Sequence, residues 1–128
     1  MKTLQRVLHI EDDPSILEVA KLALELVGGF QVCSCASGAE GIAAARSFQP
    51  QLILLDVMMP DMDGPQTLAA LRQIPELQAT PVVFLTARAQ ASEVAAYRKL
   101  GITDILLKPF DPMQLAAQVN AIWERCHG

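Results

Sequence analysis

Leu52-Ile53-Leu54-Leu55-Asp56-Val57-Met58-Met59-Pro60-Asp61-Met62-Asp63-Gly64 is the stretch that decides the fold. Four consecutive aliphatic residues end on an acid, and a loop of Met, Pro, Asp and Gly follows. A short continuous apolar run bounded by turn residues fits a strand covered on both faces, as in a parallel sheet packed between helices. Pro65 then opens a helix that runs through Leu68 and Leu71 to about Ile74.

The same unit recurs on both sides of this stretch. Val7-Leu8-His9-Ile10 is a short buried strand, cut off by acids. Asp13 can cap a helix whose first turn accepts Pro14. Ile16, Leu17, Ala20, Leu24 and Val27 form its apolar stripe, and Gly28-Gly29 stops it. Phe30 to Cys35 is a second strand. Ser37 caps a helix to about Phe48, with Ile42 and Ala45 facing inward and Pro50 as a breaker. Pro81 to Leu85 forms a fourth strand ending at Thr86. Ser92 to Leu100 is helical and closes at Gly101. Asp104 to Leu107 is the fifth strand and ends at Lys108-Pro109. Asp111 caps a last helix carrying Met113, Leu115, Val119, Ile122 and Trp123. Strict alternation of strand and helix implies a doubly wound α/β fold, a parallel sheet with helices on both faces.

Composition bounds what such a fold can be. The 128 residues are expected to form one domain, 1–128. At 52% hydrophobic and 19% charged residues, the chain has enough apolar side chains for a core and is not expected to be disordered. A net charge of -4 argues against a nucleic-acid footprint or an anionic membrane as direct partner. Met1-Lys2-Thr3-Leu4-Gln5-Arg6 lacks the apolar run of a signal peptide, and no run is long enough to span a bilayer. A cytoplasmic location is therefore expected. Cys33 and Cys35 would share one strand face, Cys126 lies near the end, and all three are expected to be reduced.

In open parallel sheets, ligands bind at the carboxyl ends of the strands. Four of the five predicted strand ends carry a polar residue capable of chemistry: Glu11 and Asp12, Asp56, Thr86 and Lys108. The second strand, ending in Cys35-Ala36-Ser37, offers nothing comparable. Three packed acids repel one another and need counter-charge. Lys108 supplies one positive charge. A hard divalent cation held by oxygen ligands, Mg²⁺, would supply the rest. A carboxylate, a metal and an ammonium around an open position suit phosphoryl transfer, with Asp56 as nucleophile and Thr86 as hydrogen-bond donor.

These segments resemble the response-regulator receiver family. The resemblance rests on Val7-Leu8-His9-Ile10-Glu11-Asp12-Asp13, Leu54 to Gly64, Leu85-Thr86-Ala87, and Leu106-Leu107-Lys108-Pro109-Phe110, and covers essentially the whole chain. It implies a flavodoxin-like strand order 2-1-3-4-5 and a cis Lys108-Pro109 bond. It implies Asp56 as phosphoacceptor, with Glu11, Asp12, Asp56 and the main-chain carbonyl of Met58 around Mg²⁺. Thr86 and Lys108 would contact the phosphoryl group. A histidine kinase or histidine phosphotransfer protein would be the donor, and a downstream protein or effector domain the target. The resemblance places the output surface at about Gln90 to Ala121, with Tyr97, Arg98, Lys99 and Phe110 as candidates to meet a partner. Ile105 departs from the family, which carries an aromatic there. Met58 and Arg88 occupy the positions through which the family tunes dephosphorylation, and apolar Met58 predicts a long-lived phosphoryl state.

Other readings are weaker. Asp61-x-Asp63-Gly64 fails as a calcium loop, because its first and twelfth positions would be Met59 and Ala70. His9 and His127 lack metal-ligand spacing and read as structural or incidental. No phosphate-binding glycine motif or nucleophile elbow is present. A docking module that signals without phosphorylation is the alternative, supported only by Ile105. An enzyme acting on a soluble phosphoester would need a second acid near Asp56, where Val57 and Met58 stand.

Overall fold

The structure, a computed structural model, describes residues 3–127. The strands are β1 (Arg6–Ile10), β2 (Gln31–Cys35), β3 (Leu52–Asp56), β4 (Val82–Thr86) and β5 (Asp104–Leu107). The helices are α1 (Pro14–Leu22), α2 (Gly38–Phe48), α3 (Gly64–Leu71), α4 (Ala91–Lys99) and α5 (Leu115–His127). All strand pairs are parallel, in the order β2-β1-β3-β4-β5. The expected fold and strand order are both present.

Alternation along the strands divides the core in two. Leu8, Ile10, Ile53, Leu55 and Phe84 face α2 and α3, meeting Ala45, Leu68 and Leu71. Val7, Leu52, Leu54 and Val83 face α1 and α5, meeting Ala20, Leu24, Leu115, Val119 and Trp123. Every residue of β3 and β4 is buried. That is why Leu52 to Leu55 reads as an unbroken apolar run.

Three helix ends differ from the pattern-based expectation. α1 continues as a π-helical turn over Ala23–Val27 before Gly28. α3 ends at Leu71 rather than near Ile74, because Pro75 forces the preceding residue out of helical geometry; Ile74 is extended (φ -86, ψ 114) and a short 3₁₀ turn, Pro75–Leu77, follows. α5 begins at Leu115, not just after Asp111. The Asp111 side chain accepts from the Met113 N–H at 2.9 Å and its carbonyl from Gln114 and Leu115, which makes a separate turn. Met113 is accordingly exposed rather than part of the apolar stripe.

His9 lies on the same face of β1 as Val7 and is fully buried. Burial first, and the positive charge of Lys108 second, lower its pKa from 6.5 to about 4. The unfolded chain therefore binds a proton in that interval that the folded chain does not, so His9 subtracts stability as pH falls from 6.5 to about 4. The displacement corresponds to about 3 kcal/mol. Glu11 acts oppositely: its raised pKa of about 7 gives stability that is lost as pH rises through that value. The two are separated by comparison with His9→Leu. In urea unfolding with EDTA, wild type should lose about 3 kcal/mol more than the variant between neutral pH and pH 4. Equal losses would mean that His9 does not titrate in this way.

Candidate functional site

The sheet register sets the site. Ile10 pairs with Leu55, so the next residue of each strand, Glu11 and Asp56, lie side by side. The Glu11 N–H donates to the Cys35 carbonyl (3.0 Å), which carries the β1 ladder one residue further. The Asp13 carboxylate caps α1 by accepting from the N–H groups of Ser15 (2.9 Å) and Ile16 (3.2 Å). The cap thereby fixes where the β1–α1 loop turns, with Asp12 exposed between the two acids.

On the other side of Asp56, the Gly64 N–H donates to the Val57 carbonyl (2.9 Å). A Cβ on Gly64 would stand 2.9 Å from both the Asp56 carbonyl oxygen and the Val57 Cα. Only glycine lets the loop fold back this closely on β3. Asp63 and Gln66 form a reciprocal capping box that starts α3.

β5 delivers Lys108. Its N–H donates to the Thr86 carbonyl (2.9 Å), and its Nζ reaches Glu11 Oε1 at 2.6 Å and Asp56 Oδ1 at 2.9 Å. The Lys108-Pro109 bond is cis, as expected. Carboxylate oxygens of Glu11, Asp12 and Asp56 lie within 4.8 Å of one another, the one group of three or more candidate metal ligands among the described residues. Glu11 is 1% exposed and Asp56 3%.

One ammonium does not balance three acids in this space. Burial raises the Glu11 pKa to about 7; Lys108 and the Asp13 N–H oppose the rise and Asp56 adds to it. Burial would lower the Lys108 pKa, but its hydrogen bonds to Glu11 and Asp56 outweigh that and hold it above the ordinary value. A cluster of hard oxygen ligands with surplus negative charge, two of its three acids buried, fits a divalent cation such as Mg²⁺.

Glu11, Asp12, Asp56 and Lys108 are thus brought together. Thr86 stands at the end of β4 but is turned to its own chain. Its hydroxyl donates to the Arg88 carbonyl (3.2 Å) and accepts from the Arg88 N–H (3.1 Å). The Met58 side chain is exposed, and Ile105 is half-buried against the α2–α3 side of the core. Two of the four residues expected to meet a partner are half-buried. Tyr97 packs edge-on against Phe84 with centroids 5.2 Å apart, and Phe110 is half-buried beside the α1–α5 core. Arg98 and Lys99 are exposed, Arg98 in an ion pair with Asp104. Sequence reasoning missed an apolar recess of about 360 Å³ next to Lys108, lined by Ile16, Val19, Ala87, Pro109 and Phe110. Val19, apolar but off the inward stripe of α1, was the available signal.

A five-stranded parallel sheet in this order, with a lysine bridging two acids at its carboxyl edge, defines a receiver-like α/β domain. Residues 7–120 match the family model for the response regulator receiver domain. The transcriptional regulatory protein CseB of Streptomyces avermitilis is 39% identical over 119 residues, 93% of this chain and 49% of that protein. The DNA-binding response regulator MtrA of Mycolicibacterium smegmatis is 35% identical over 117 residues, 91% of this chain and 50% of that protein. Among solved structures, Vibrio cholerae chemotaxis protein CheY4 superposes with a TM-score of 0.87 at 28% identity, covering 94% of this chain and 99% of that one. The receiver domain of Francisella response regulator 1452 gives a TM-score of 0.83 at 30% identity, covering 94% and 98%.

The chain belongs to the response regulator receiver family. It spans about half the length of the curated relatives it matches. MtrA is a DNA-binding regulator by name, so these relatives lend no support to the expectation of no nucleic-acid partner. Among the described residues, no helix is long and apolar enough to cross a membrane.

Removing Lys108 tests the charge balance. Lys108→Met leaves Glu11 and Asp56 side by side without their cation. Unfolding free energy at neutral pH in EDTA should fall by about 3 kcal/mol, the scale for breaking a buried pair. The loss should shrink at pH 5, where Glu11 takes up a proton. An unchanged urea midpoint at both pH values would contradict this account.

Proposed function

We propose that this receiver domain is a phosphorylatable switch with Asp56 as acceptor and Mg²⁺ as its cofactor. The observation that carries the reading is the buried Asp56 carboxylate, 2.9 Å from Lys108 Nζ and clustered with Glu11 and Asp12. The donor is a histidine kinase or phosphotransfer protein. An Asp56 oxygen attacks phosphorus, an O–P bond forms as the N–P bond of a phosphohistidine breaks, and the imidazole leaves with the electron pair and takes up a proton. Lys108 offsets charge on the transferring oxygens. When held by Glu11, Asp12, Asp56 and the Met58 carbonyl, Mg²⁺ would supply the remaining positive charge. The Thr86 hydroxyl reaches the new phosphoryl group only by giving up its hydrogen bonds to Arg88.

The domain modifies itself and turns over no external substrate. Phosphorylation biases an existing equilibrium between two surface states around α4, β5 and α5. Arg98 and Lys99 are the exposed candidates for partner contact there. The DNA-binding relatives make a nucleic-acid-binding effector one class of downstream target. We place the protein in the cytoplasm, with its kinase partner.

Intact-mass spectrometry after incubation with acetyl phosphate and Mg²⁺ tests the reading. Wild type should gain one phosphoryl group that depends on Mg²⁺, and Asp56→Asn should gain none. No adduct on wild type, with beryllofluoride also failing to bind, would favour the phosphorylation-independent docking module. The exposed Met58 side chain offers no group to orient an attacking water. Met58→Asn should therefore shorten the adduct half-life about tenfold, the effect of one added hydrogen bond worth about 1.4 kcal/mol. An unchanged decay rate would remove Met58 from the account of lifetime.

A further inference from the structure

β2 is an edge strand, and it carries Cys33 and Cys35 two residues apart on one face. Their sulfurs lie 4.0 Å apart. Cys35 is buried and Cys33 half-buried, both on the α2–α3 side of the sheet. Neither thiol has a role in the acidic site. We propose that Cys33 and Cys35 together form a binding site for one soft d¹⁰ cation of the Cu(I) class.

The geometry suits an ion held between the two sulfurs. Two metal–sulfur bonds of about 2.3 Å span at most about 4.6 Å. Sulfurs 4.0 Å apart lie within that span. The strand need not move. A disulfide makes a different demand, because its sulfurs stand about 2.05 Å apart. Cα atoms two residues apart on a strand are separated by about 6.6 Å, near the upper limit of about 6.8 Å for bridged cysteines. Closing that bond would bring the sulfurs about 2 Å closer than they stand.

Ligand chemistry narrows the ion. Soft thiolates select Cu(I), Zn²⁺ and iron–sulfur clusters over hard cations. Structural zinc takes four protein ligands. Among the described residues, the thiol pair belongs to no group of three or more candidate ligands. A low-coordinate ion therefore fits, with Cys33, the more exposed of the two, as its entry point.

Burial pushes the Cys35 thiol up to about 12, and the neighbouring Cys33 and then Glu40 add to the rise. Cys35 thus rests as a thiol, slow to alkylate or oxidise. On binding, two S–H bonds are replaced by two Cu–S bonds, two protons go to solvent, and copper stays Cu(I).

The test uses the full chain with Cys126→Ser, which removes the exposed third thiol. Cu(I) is supplied without oxygen as its acetonitrile complex, against a chromophoric Cu(I) chelator, with native mass spectrometry as second readout. One Cu(I) per chain is expected. Cys33→Ser should weaken binding about 100-fold or more, since a direct ligand should matter at least as much as the groups around it. That position is half-buried, and an unchanged thermal melt would show that the variant is folded. Three outcomes would overturn the proposal: no Cu(I) held against the chelator, undiminished binding in folded Cys33→Ser, or a protein that emerges two hydrogens lighter and metal-free, which is the disulfide.

Discussion

The Lys108 ammonium, bridging Glu11 and Asp56 at 2.6 and 2.9 Å, is the contact on which the site depends. It joins β5 to β1 and β3 across the carboxyl edge of the sheet. Without it, two buried carboxylates would face each other in a medium that screens poorly, and one would have to take a proton. With it, the site still carries more negative than positive charge. That surplus favours a divalent cation at the carboxyl edge.

The register explains why a local sequence feature becomes a three-dimensional site. Glu11 and Asp56 each follow one residue after a paired position on adjacent strands, so parallel pairing alone sets them abreast. Lys108 follows β5 in the same way, held through its N–H to Thr86. Because every strand of a parallel sheet ends on the same edge, a polar residue just past each apolar run is visible in the sequence as a candidate. Glu11, Asp12, Asp56 and Lys108 were legible for this reason. So was the fold, because β3 and β4 are covered on both faces and read as pure aliphatic runs.

What the sequence left hidden depends on side-chain direction and on contacts between distant segments. Tyr97 on a polar helix reads as a surface aromatic, yet Phe84 of β4 draws it inward. Met113 fits a helical stripe by spacing, yet the Asp111 turn displaces the start of α5 beyond it. The Thr86 hydroxyl is bound to Arg88 two residues on, a local competition that strand periodicity cannot report. The recess beside Lys108 is assembled from α1 and the segments after β4 and β5, so no single stretch contains it.

The helices are not equally anchored. α5 buries Leu115, Ala116, Val119, Ile122 and Trp123, whereas α4 buries no residue fully. Among its attachments are the half-buried Tyr97 against Phe84 and the Arg98 pair with Asp104, whose other partner is Arg125 of α5. Exposed ion pairs of this kind contribute little, on the order of 1 kcal/mol or less. α4 is therefore the helix that moves at least cost. It is also the one whose entry loop begins at Thr86 and Arg88, directly beyond the acidic edge. A rearrangement of the Thr86 hydroxyl changes that loop first, and α4 opposes the change with few buried contacts. In the proposed switch, coupling between Asp56 and the α4 surface would run through loop and helix position, without an aromatic at Ile105 to carry it.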